Sequence, residues 1–139
     1  TIVELLIVIV IIGILAAITI VAYNGIQNRG KAAAGQSLAN SIDKKAEAFN
    51  SIDSTYPTHA VLIANTGAGT ANNSKEAKLD DTSSVIAATN ATTPSIDGTS
   101  AADGKKVSYF GCGTGANIWY WDYAASPAAV KKVTAGAGC

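Results

Sequence analysis

The 139-residue chain is short of the groups that chemistry usually needs. It has no Met and a single His, His59. A His-based metal site or a nucleophile with its base has almost nothing to draw on, so neither an enzyme nor a bound metal or cofactor is expected. Charge is also scarce. Only 14% of residues are charged, with ten acidic and ten basic residues and no net charge. Without a basic surplus, binding to nucleic acid through bulk electrostatics is excluded. Ala, Gly, Ser, Thr and Asn fill the gap, and such residues pack closely without building a large core. The length suits one domain.

Cysteine is nearly absent too, and its two positions are informative. Cys112 and Cys139 lie 27 residues apart, the second at the last position. A free thiol there is an exposed liability, so a bridge is expected, together with an oxidising compartment outside the cytoplasm. Closing that loop contributes roughly 3–4 kcal/mol in the chain-entropy model, a large share for a small head.

What the chain has in excess is an apolar N-terminus, TIVELLIVIVIIGILAAITIVAY. No charged residue stands between Glu4 and Arg29, and Thr19 is the one polar interruption of Leu5–Tyr23. At ~1.5 Å per residue that stretch spans about 28 Å, close to the hydrocarbon thickness of a bilayer. Its β-branched run would suit a buried strand, but its length decides for a helix able to cross a membrane. A cleaved secretory signal does not fit, because no basic residue precedes the run.

Helical periodicity continues beyond it. Leu38, Ile42, Ala46 and Phe49 share one face, with Lys44, Lys45 and Glu47 off it. Gly25, Gly30 and Gly35 weaken the intervening stretch. One long helix to about Ser51 is expected, ending before Tyr56-Pro57. Its apolar part is 1–24 and its amphipathic part 25–53. A polar loop region, 54–104, follows, with one short candidate strand at Ser84–Ala88. The last part, 105–139, is β-rich. Lys106–Cys112 and Asn117–Tyr123 predict a hairpin, and Ala129–Thr134 a third strand. The predicted fold is α+β: a long N-terminal helix with a small antiparallel sheet of about three strands on its second half. In the second strand of that hairpin Trp119, Trp121 and Tyr123 share a face opposite Tyr120, which either packs the sheet on the helix or presents an aromatic patch for adhesion or for stacking on single-stranded nucleic acid.

Glu4 is the residue least at home in its setting. A carboxylate beside an apolar run is costly at depth and tolerable near the interface. When such helices pack side by side, the nearest available cation is an α-amino group, its own or a neighbour's. Gly13 and Ala17 form a small-xxx-small pair that permits close helix approach. Asp80-Asp81 lacks the spaced oxygen ligands of a calcium loop. Asn72-Asn73-Ser74 and Asn90-Ala91-Thr92 match the glycosylation pattern, which arises readily by chance in so Asn- and Thr-rich a chain.

The N-terminal string resembles that of mature type IV pilins, in which an N-methylated aromatic is followed by Thr, two apolar residues, Glu and an apolar helix. Thr1 and Glu4 match the Thr and the Glu, over about 25 residues of close likeness. The aromatic, usually Phe, is missing, so the mature chain is expected to start one residue earlier. The Pro that many members carry late in the apolar run is replaced by Val21.

The resemblance implies a prepilin peptidase that removes a basic leader, and a subunit that waits in the cytoplasmic membrane with its head outside. Pilus assembly machinery then extracts it into an extracellular homopolymer whose core is the N-terminal helices. Glu4 there pairs with a neighbour's N-terminal amine. A basic leader also reconciles the positive-inside rule with an external, disulfide-bonded head, since Arg29 and Lys31 follow the run. Adhesion, twitching motility and DNA uptake, with surface or DNA ligands, are the functions such filaments support. A minor pilin or a secretion pseudopilin shares this N-terminus. A single-pass membrane-anchored binding domain accounts for the apolar segment but not for Glu4.

Overall fold

The computed structural model describes residues 1–64, 77, 79, 81–99 and 103–139. Asp80 and the Asn72–Ser74 pattern lie outside the described residues. In chain order the elements are α1 (Ile2–Asp53), α2 (His59–Ala64), β1 (Val85–Ala87), a 3-10 turn (Asp103–Lys105), β2 (Val107–Gly111), β3 (Gly115–Asp122) and β4 (Ala129–Gly136).

α1 runs unbroken for 52 residues, through all the glycines that weaken it. Thr1 starts it with a capping box: its hydroxyl accepts the Glu4 N–H, and the Glu4 carboxylate reaches back to the Thr1 amine. Ser54 ends it in the left-handed region (φ 56°), with its N–H on the Asn50 carbonyl, and Pro57 bars continuation.

The sheet has four strands, in the order β1-β2-β3-β4, where three were expected. β1 lies parallel to β2, with Val85 opposite Val107. The other two pairs are antiparallel, β2 with β3 and β3 with β4. The extra strand is the short candidate near Ser84. It joins through a chain neighbour more than twenty positions away, so nothing local in its sequence announces the pairing.

The sheet is covered on both faces. On one, Ala116, Ile118 and Tyr120 of β3, with Val107 and Tyr109 of β2, pack on Ala39, Ile42 and Ala46 of α1. This reverses the expected orientation of β3, because Tyr120 and not its tryptophan neighbours meets the helix. A Cβ on Gly35 would lie 3.5 Å from the Tyr120 ring, so sheet and helix approach within ordinary contact there. Residues 89–98 cover the opposite face. There the Asn117 amide donates to the Ala91 carbonyl (2.8 Å) and the Ser95 N–H donates to the buried Ser108 hydroxyl (2.9 Å). Gly98 (φ 74°) lies directly over Trp121, leaving no room for a side chain.

The far end of the head is clasped to α1 by Glu47. One of its oxygens accepts from the Tyr56 hydroxyl and from the Gly136 N–H, each at 2.9 Å. Buried Tyr109 donates to the Pro57 carbonyl at 2.8 Å, and burial pushes its hydroxyl well above the usual phenol range. The Cys112–Cys139 disulfide ties the chain end to the β2–β3 turn, with Cα atoms 6.0 Å apart.

Candidate assembly surface

The first half of α1 touches none of the described residues outside the helix. It is long and apolar enough to cross a membrane, and none of that stretch is buried. Ile2 is 85% exposed, and Ile20, Val21 and Tyr23 each more than 60%. The apolar side chains run all round the helix, without a polar stripe that would mark a side meant for water. Burial begins only at Gly35. The molecule is thus an apolar rod of about 28 Å projecting from a head.

Thr1 and Glu4 sit at the tip of this rod. The Glu4 carboxylate accepts from the Thr1 amine, with both side chains more than three-quarters exposed. The pair is therefore open to exchange with groups outside the chain. Gly13 and Ala17 are one helical turn apart on the same face, and a Cβ built on Gly13 meets nothing within 4 Å. That notch is free to receive another backbone. Cys112 and Cys139 lie far from it, at the opposite end of the head, and belong to its stability.

Other singled-out residues take ordinary roles. The Asp81 carboxylate accepts from the Ser83 hydroxyl (2.6 Å) and N–H (2.9 Å), which hold its pKa below the usual value. His59 Nε2 lies 3.2 Å from the Val85 carbonyl, joining α2 to β1. Asn90 caps an exposed turn by accepting from Thr92 and Thr93. Among the described residues no three His, Cys, Asp or Glu side chains gather as metal ligands would.

Sequence reasoning missed one feature of the helix. Asp43 and Glu47 stand one turn apart at the helix–sheet seam, and Asp43 Oδ1 is shut off from solvent without a hydrogen-bond partner among the described residues. Burial, then the nearby Glu47 charge, raise the Asp43 pKa. Periodicity places both residues on a helix, but only the fold reveals which of them the sheet covers.

Comparison with known proteins finds no matching family model, no similar curated protein and no similar solved structure.

Proposed function

We propose that this chain is the structural subunit of a type IV pilus-like extracellular filament, polymerising through the apolar half of α1. The observation that carries the reading is that rod: an apolar helix half with no partner among the described residues of its own chain, tipped by a Thr1–Glu4 pair. Such a surface is stable in a bilayer or against copies of itself, and a subunit of this design uses each in turn. In a water-poor bundle of helices an unpaired carboxylate is costly. Pairing Glu4 with the N-terminal amine of a neighbouring copy removes that cost and fixes the register of the incoming subunit. Gly13 and Ala17 supply the close-approach notch. Prepilin peptidase, pilus assembly machinery and the cytoplasmic membrane are the partners this reading requires. Adhesion, motility or DNA uptake are the functions a fibre of this kind would serve.

Glu4 also caps the helix, so its two roles must be separated. Glu4→Gln preserves a capping residue and removes the charge. In cells expressing the assembly machinery, Glu4→Gln and Glu4→Ala are both expected to lose most surface fibres in electron micrographs, while the head keeps its near-ultraviolet dichroism. Normal fibre numbers from Glu4→Gln would sink charge pairing as the assembly device. A wild-type chain that stays in the membrane as a monomer with that machinery present would favour a plain membrane-anchored domain.

A further inference from the structure

β3 and β4 are joined by a turn at the end of the head that faces the apolar rod. Gly35, the first buried residue of α1, meets Tyr120 and the Trp121 carbonyl there. One turn closer to the rod, Lys31 Nζ lies 5.4 Å from the centroid of the Tyr123 ring. Tyr123 in turn stands edge-on to Trp121, with centroids 6.5 Å apart. Both aromatics are only half-buried, although the middle of β3 is fully enclosed. The 3-10 turn completes the corner, with Gly104 against the Tyr123 ring and Lys105 exposed beside it.

If hydrocarbon begins near Leu5, it ends near Tyr23. Arg29 and Lys31 follow, both exposed, and the first acid after Glu4 on this helix is Asp43. Lys31 lies about 12 Å above Tyr23 by helical rise. Helical side chains lean toward the N-terminus, and long cationic ones bend back to the headgroup layer. Nearby acids are partly engaged: Asp122 accepts from the N–H groups of Ala124 and Ala125, and Asp97 from Thr99. Half-exposed Trp and Tyr beside Lys is the composition that favours a membrane–water interface.

We infer that this corner of the head, formed by Lys31, Lys105, Trp121 and Tyr123, docks on the anionic headgroups of the bilayer that holds the unassembled subunit. The inference rests on the membrane reading of the rod. It gives the half-exposed aromatics a role that core packing leaves open, and it fixes how the head sits before the subunit is extracted.

The full chain carries its own reporter. Trp119 is buried at 5% exposure, so quenching by a collisional probe in the lipid reads Trp121. The chain is reconstituted into vesicles of phosphatidylcholine, alone or with phosphatidylglycerol, each doped with a headgroup nitroxide lipid. Quenching is expected to be about twofold stronger with phosphatidylglycerol, and to fall to the phosphatidylcholine level at high salt. The Lys31→Glu/Lys105→Glu variant, checked for a folded head by near-ultraviolet dichroism, is expected to lose the difference. Equal quenching in the two lipids, or a difference that survives the charge reversal, would overturn the docking. Failure of the wild-type chain to float with either vesicle would instead refute the membrane reading beneath it.

Discussion

The two halves of α1 are one continuous helix held in place by different physics. The distal half is anchored by a seam of small residues, Gly35, Ala39 and Ala46, with Ile42 among them and Phe49 beyond, all closed off by the head. The proximal half has no tertiary contact with the described residues and carries larger side chains that stay open to solvent. Small residues therefore mean different things in the two halves. In the distal half they let the sheet approach. In the proximal half Gly13 and Ala17 remain open, and only something outside the chain can use them. The difference separates what folds the head from what the head's rod is for.

Truncation tests that separation most strongly. Ile42 is 3% exposed in the main core, so Ile42→Ala is expected to cost the head about 3 kcal/mol, the range for a large aliphatic cut to Ala in a core. Ile12 is 60% exposed, so Ile12→Ala is expected to shift head stability by less than about 0.5 kcal/mol. Denaturant unfolding in detergent, followed through the tryptophans, measures both. A comparable loss from Ile12→Ala would mean that the halves are energetically coupled, and the comparison would fail.

Sequence periodicity carried much of this and failed at identifiable points. The membrane-length run and the β2–β3 hairpin were legible because each is local: one is a composition, the other two aromatic-rich segments around a glycine turn. The buried stripe was nearly right. Leu38 was expected on it, yet the seam runs through Gly35 and Ala39, and Leu38 is only partly covered. Hydropathy ranks Leu above Gly and Ala, whereas close approach of a Tyr120 ring selects the small side chains. The face of β3 was misread for a related reason. With the helix on one side and residues 89–98 on the other, both sets of alternating residues are buried, so alternation does not say which side faces which layer. Of the candidate assembly surface, Thr1, Glu4, Gly13 and Ala17 were all legible as residues. The Asp43–Glu47 pair became visible only when the sheet was laid on it.

Glycine substitutions sharpen the comparison at smaller amplitude. A Cβ on Gly35 would rest in ordinary contact, 3.5 Å from Tyr120. The helical gain of Ala over Gly is therefore free to appear, and Gly35→Ala is expected to stabilise the head by about 1 kcal/mol. Gly25→Ala brings the same local gain in a stretch where an added Cβ meets nothing, and head stability should not change. A loss in Gly35→Ala would show that the seam has no slack at Tyr120. A gain in Gly25→Ala equal to that of Gly35→Ala would show that the helix unfolds with the head as a single unit.

The smallest expected effect concerns Asp43, and pH gives it a sign. Burial and the neighbouring Glu47 raise its pKa above the usual carboxylate value, with Lys44 acting in the opposite sense. Tyr56 and Tyr109, which face it from the head, both have raised pKa values in part because of its charge. A raised folded-state pKa means that the folded protein resists ionising Asp43. Below the unfolded pKa the group is protonated in both states and imposes no penalty. As pH rises through the folded pKa, the folded state must hold the charge, and stability relative to the acid form is lost. Asp43→Asn removes that penalty. Part of the side chain still meets water, so screening keeps the gain small, at about 0.5 kcal/mol near pH 7. Near pH 3 the variant and wild type should have the same midpoint within about 0.2 kcal/mol, because the wild-type carboxyl is then mostly neutral as well. Denaturant midpoints at the two pH values decide it. A gain that is equal at both would mean that the substitution acts through packing rather than charge, and that the unpaired Asp43 oxygen costs the head nothing electrostatic.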